Sequence, residues 1–169
     1  MSLSVFAAAW FLPFVLPICV YICYTDMKGM RIPNHAVVAL FVVYLIVGAI
    51  VLPLDAYLWR YLHLVVVLVA GIALNAGGAM GAGDAKFAAA AAPFIHLADL
   101  RFLMALFAAN LLAAFVSHRL AKRTPLRQLA PDWHSWEAGS RFPMGLALGG
   151  TLAIYLGLGL FYGQSTPTP

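Results

Sequence analysis

The chain has 169 residues, of which 64% are hydrophobic and only 9% charged, with a mean hydropathy of +0.93. A soluble domain of this length does not carry such a composition, so the class is an integral membrane protein. The formal charge of +4 comes from ten basic residues that are not gathered on one soluble face, so no nucleic-acid partner is expected.

The first apolar run covers about Ser4 to Tyr24. No charged stretch precedes Phe6, so it reads as a permanent anchor rather than a signal peptide. Cys19 and Cys23 lie on roughly one face of this helix. With no further cysteine pair to complete a zinc site, they read as packing residues. Asp26 follows the run directly. Pro33 and Asn34 then restart the chain, with Asn34 expected to N-cap a second run from about His35 to Leu54. A third run covers about Tyr61 to Gly78 and leads to the tetrapeptide Gly81-Ala82-Gly83-Asp84.

From Asp84 to Leu97 a fourth helix rises only roughly 20 Å, against a hydrocarbon core of about 30 Å, so either the bilayer thins there or Asp84 lies below the membrane surface, the second being what a site acting near the interface needs. Pro93 is expected to kink this helix. The short turn from His96 to Arg101 predicts a tight hairpin with a fifth run, Leu100 to His118. Asn75 and Asn110 are candidates for hydrogen bonds between helices.

The stretch from Arg119 to Arg141, with Trp133 and Trp136, reads as an interfacial segment, a lid being the functional alternative. The sixth run covers about Phe142 to Phe161. Its Gly145–Gly149 spacing, like the run Ala88 to Ala92, is a small-residue pattern that reads as helix packing before substrate groove. The tail Gly163 to Pro169 is expected to be disordered. No repeat or linker divides the chain, so residues 1–169 form a single polytopic domain: an all-α bundle of six transmembrane helices.

The basic residues set the orientation. Lys28, Arg31, Lys86, Arg119, Lys122, Arg123, Arg127 and Arg141 fall on one side, and only Arg60 and Arg101 on the other. The positive-inside rule then places both chain ends outside the cytoplasm, and Asp26 and Asp84 at its face.

Ionisable groups at the edge of a membrane are unfavourable and point to function, with each aspartate the evident partner of the other. Two carboxyl groups sharing one proton suffice for aspartic-type hydrolysis: one activates water, the other hydrogen-bonds the scissile carbonyl. Asp84 begins a helix and Asp26 ends one, so helix polarity predicts that Asp84 is the general base and Asp26 holds the proton. Gly81 and Gly83 are expected to let the chain turn sharply and present Asp84. Lys28, Arg31 and Lys86 can lower a carboxyl pKa or grip an acidic group, or simply mark the cytoplasmic side.

Other hydrolase classes lack their residues. There is no His-Glu-x-x-His zinc motif. Ser2, Ser4, Ser117, Ser135, Ser140 and Ser165 all lie at segment ends or in loops, which disfavours a serine nucleophile. His35, His63, His96, His118 and His134 show no ligand spacing. No metal and no cofactor is expected.

At these positions the chain resembles the prepilin peptidases, aspartic proteases of the Gly-x-Gly-Asp type. The matching stretches are Asp26-Met-Lys-Gly-Met-Arg-Ile-Pro33-Asn34, then Gly81-Ala-Gly-Asp84-Ala-Lys86, and Phe142-Pro143-Met-Gly145-Leu-Ala147-Leu148-Gly149. The resemblance implies that Asp26 and Asp84 are catalytic, that Gly81 and Gly83 shape the second, and that Pro143 and Gly145 open the last helix beside a substrate groove. It implies a prepilin substrate with a short basic leader, cleaved at the cytoplasmic face of the bacterial inner membrane while its apolar helix lies in the lipid bilayer. Lys86 would then face the acidic residue near the mature pilin N-terminus. The larger members carry an N-terminal region with paired Cys-x-x-Cys motifs and also methylate the product. This chain starts directly in a membrane helix, so the expectation is peptidase activity alone, as in the small enzymes of tight-adherence (Flp-type) pili. The alternatives are a proton-coupled transporter and a non-catalytic pilus-assembly subunit.

Overall fold

The computed structural model describes residues 1–139 and 141–165. Ser140, counted above among the loop serines, and tail residues 166–169 lie outside the described residues. The rest folds into six α-helices: α1 (Val5–Gly29), α2 (Asn34–Val51), α3 (Leu54–Ala76), α4 (Ala82–Ala91), α5 (Leu100–Arg123) and α6 (Met144–Tyr162). Five of them, α4 being the exception, are long and apolar enough to cross a membrane.

Of the six expected spans, five correspond to helices of that length and composition, and the fourth is a short helix. α4 has ten residues, about 15 Å of rise, half of a bilayer core. Pro93 does more than kink it: a single 3-10 turn, Ala92–Phe94, closes the helix, and Ile95 and His96 continue in extended conformation. That extended step carries the chain away from α4. The expected tight hairpin does not form; α4 packs against α3, α2 and α6, while α5 lies along α6.

α3 begins at Leu54, seven residues before the expected Tyr61. Asp55 and Arg60 disguise this start in the sequence, yet Asp55 sits in the first turn, where the helix dipole favours an acid. Arg60 is buried, donating from Nη1 to the Pro93 carbonyl oxygen at 3.2 Å. Asn34 is not the N-cap of α2. It is the first helical residue, Pro33 occupies the cap without a side-chain bond, and the Asn34 amide oxygen accepts from Lys86 Nζ at 3.1 Å.

The core lies along the seam between α1 and α6, filled out by α2 and α4. Phe11, Tyr44 and Phe94 are fully buried and meet edge to face, with ring centroids 4.9 Å apart for Phe11–Phe94 and 5.5 Å for Tyr44–Phe94. Small residues keep the α1–α6 seam narrow. A Cβ on Gly149 would stand 3.1 Å from the Cys19 carbonyl oxygen and from Cys23 Sγ, which places both cysteines in packing, as expected. Asn110 bonds across helices, donating to the Ala147 carbonyl at 2.8 Å. Asn75 instead closes its own turn, donating to the Met80 carbonyl at 2.8 Å.

Candidate active site

Asp26 and Asp84 come from separate helices and line one cavity of about 1230 Å³. Asp26 lies in the last turn of α1 and is buried. Asp84 lies in the first turn of α4 and is half-buried. Pro33, Asn34, Gly81, Gly83 and Lys86 line the same cavity, so the structure gathers these five around the carboxyl pair.

Asp26 is held from an unexpected direction. Its Oδ2 accepts the backbone N–H of Gly145 at 2.6 Å. Gly145 is the second residue of α6, so this N–H is one of the donors a helix leaves unsatisfied at its start. The carboxylate of α1 thus caps α6 and stands at the positive end of its dipole. α1 also continues three residues beyond Asp26, to Gly29, and the Asp26 carbonyl accepts the Met30 N–H at 2.8 Å. The expectation that helix polarity disfavours charge on Asp26 took account of α1 alone; the start of α6 opposes it.

Gly145 itself is required by space. A Cβ there would lie 2.9 Å from Asp26 Cβ and 3.0 Å from Oδ2. Gly145 and the buried Pro143, which caps α6, do not line the cavity, whereas Phe142 and Met144 do.

Gly81 and Gly83 also act through space rather than backbone freedom. Gly81 has an ordinary extended backbone, φ −67° and ψ 144°. A Cβ on it would meet Asp84 Oδ2 at 2.7 Å, and one on Gly83 would meet Ile32 Cβ at 3.3 Å. The left-handed backbone lies nearby instead, at Gly78 (φ 72°) and Met30 (φ 52°). The Asp84 pKa is pushed up to about 6, first by burial and then by the Asp26 charge, while the Gly81 amide pulls it back.

Lys86 donates to Asn34 and forms no ion pair with either aspartate among the described residues. That bond ties α4 to α2. Arg31, His35 and Arg141 also line the cavity. Of these, Arg31 was anticipated near the aspartates. Arg141 and the Gly145 amide were not, because residues more than a hundred positions away in sequence bring no local pattern to Asp26.

The arrangement offers one carboxyl group anchored by a backbone donor, a second in the first turn of another helix, and a polar cavity between helix ends. It is equipped for proton transfer to and from water. A scan against protein-family models matches residues 13–118 to the type IV leader peptidase family. The matched stretch contains both aspartates and ends before α6. Searches of curated proteins and of solved structures returned no match.

Proposed function

The chain belongs to the type IV leader peptidase family, and from that premise we propose that it is an aspartic endopeptidase removing the short leader from prepilins. The carrying observation is that Asp26 and Asp84, on different helices, line one cavity. In this reading the ionised member is Asp26, because the Gly145 N–H at the start of α6 favours its charge. Asp84, whose pKa burial and the Asp26 charge push up to about 6, takes the other role and carries the proton below that pH. This reverses the assignment drawn from helix ends alone.

Asp26 uses its second oxygen to take a proton from water, and the resulting hydroxide attacks the scissile carbonyl carbon. The Asp84 O–H donates to the carbonyl oxygen and supports its developing negative charge. The proton held on Asp26 then passes to the leaving nitrogen as the C–N bond breaks.

The substrate is a prepilin of the tight-adherence type. Its apolar helix stays in the bilayer and its leader enters the cavity from the cytoplasmic face of the bacterial inner membrane. The eight basic residues on the side of the aspartates support the orientation, with both termini periplasmic. Proton-coupled transport is disfavoured, since both carboxyl groups lie at one end of the bundle and not near the midplane.

Co-expression with a Flp-type prepilin, followed by gel shift of the pilin, tests the reading. Leader removal is expected with the wild-type chain and its loss with either Asp26→Ala or Asp84→Ala. Cleavage that persists in either variant removes the two-carboxyl mechanism.

A further inference from the structure

The opposite end of the bundle carries polar groups that leader cleavage does not use. Asp55, Trp59 and His63 recur at four-residue spacing along one stripe of α3, with Arg60 beside it. With His96, from the extended step after α4, they line a mostly apolar cavity of about 400 Å³.

Arg60 is only 6% exposed. Its one hydrogen bond among the described residues goes to the Pro93 carbonyl, and no carboxylate lies within ion-pair distance. Asp99 is near enough to act on it electrostatically, but the Asp99 oxygens already accept the N–H groups of Ser2 at 2.7 Å and Leu3 at 3.0 Å and the Tyr155 hydroxyl at 2.9 Å. A guanidinium has five N–H donors, and those of Arg60 not bonded to Pro93 are left to the cavity that it lines.

His96 adds a donor of known identity. Its Nδ1 accepts the Ala98 N–H at 3.2 Å. A neutral ring therefore carries its hydrogen on Nε2, which makes no hydrogen bond among the described residues. His63 Nε2 is buried, with the Ala92 and Ile95 backbone close to its ring. On the rim, Asp55 is exposed and Trp59 is 59% exposed, the latter an aromatic suited to the membrane–water boundary.

We propose that this cavity binds the headgroup of a phosphatidylethanolamine. The phosphodiester oxygens accept from the Arg60 guanidinium and from His96 Nε2–H, a planar fork and a single donor converging on one anion. The ammonium points outward to the Asp55 carboxylate, so the headgroup dipole matches the buried cation and the exposed anion. The acyl chains follow the apolar wall beside Trp59 into the bilayer. This site is independent of the peptidase reading.

Native mass spectrometry of the full-length chain in a neutral detergent tests it with dioctanoyl phosphatidylethanolamine, dioctanoyl phosphatidylglycerol, dioctanoylglycerol and inorganic phosphate. One phosphatidylethanolamine is expected per chain, held about tenfold more tightly than dioctanoylglycerol, as a charge-assisted hydrogen bond predicts. His96→Leu should weaken both phospholipids about tenfold. Asp55→Asn, at an exposed position, should leave phosphatidylglycerol binding intact and abolish the preference for phosphatidylethanolamine. The proposal is overturned if dioctanoylglycerol binds as well as the phospholipids, or if His96→Leu changes nothing. It is also overturned if Asp55→Asn leaves the preference unchanged, or if inorganic phosphate alone displaces the lipid, which would make this a small-anion site.

Discussion

At the scale of single residues, the site depends on groups that sequence reveals unequally. Asp26 and Asp84 stand out because a carboxyl group beside an apolar run needs a reason. Gly145 does not, because a backbone N–H has no signature in a sequence and its partner lies 119 positions away. Its absent side chain is nonetheless specific: an added methyl would press on Asp26 Cβ and Oδ2 together. Gly145→Ala is therefore expected to lower kcat/KM for a prepilin at least about a hundredfold and to destabilise the chain by about 1–3 kcal/mol, as overpacking does. Steady-state cleavage and denaturant unfolding measure the two effects, and unchanged cleavage would remove Gly145 from the support of Asp26.

Asp84 makes a prediction in pH. If its protonated form is required, kcat/KM falls with a descending limb near pH 6, tenfold per unit above it. The stability sign follows from the same shift. A folded pKa of about 6, above the unfolded value of about 3.9, favours the fold at low pH, and that contribution is lost as pH rises through 6. Asp84→Asn should accordingly raise Tm at pH 8 and leave it nearly unchanged at pH 3.5. A gain at pH 3.5 equal to that at pH 8 would mean that the charge on Asp84 is not its cause.

At the scale of elements, hydropathy placed the long helices and misplaced those whose ends are polar or short. α3 reaches back across Asp55 and Arg60 because a helix can carry an acid in its first turn and bury an arginine against a neighbour's carbonyl. α4 is apolar where it packs against α3, α2 and α6, and composition alone does not separate such burial from a full-length span. What aims α4 is the turn before it. Gly78 is left-handed at φ 72°, and the Ala79 N–H closes back on the Leu74 carbonyl at 2.9 Å, the bond pattern of a glycine-terminated helix. Nothing lies within 4 Å of a Cβ added there, so its strain is purely conformational. Gly78→Ala should cost about 1 kcal/mol in denaturant unfolding, while Gly77→Ala, at φ −78°, should cost less. Equal losses at the two positions would count against the left-handed turn as what orients Asp84.

At the scale of the molecule, α1 and α6 form one long seam with the aspartate cavity at one end and closure at the other. At the cavity end Asp26 meets Gly145. At the far end a Cβ on Gly159 would lie 2.8 Å from Leu3 Cδ2 and 2.9 Å from Ala8 Cβ. There the Val5 N–H donates to the Gln164 carbonyl at 2.9 Å, and the Gln164 N–H donates to the Leu3 carbonyl at 3.0 Å. The small-residue pattern in α6 was legible as close packing, but its period does not say which glycine faces a carboxylate and which an alkyl chain. The difference separates stability from activity. Gly159→Ala forces apart two apolar contacts and should destabilise the chain by about 1–3 kcal/mol. The Gly145 N–H that holds Asp26 lies fourteen residues, about 21 Å along the helix, from position 159, so kcat/KM well below Tm should change less than about twofold. Cleavage rates at low temperature beside thermal melts of Gly145→Ala and Gly159→Ala decide the point. A Gly159→Ala variant as inactive as Gly145→Ala, while still folded, would mean that the seam moves as one rigid unit and that its two ends are not separable.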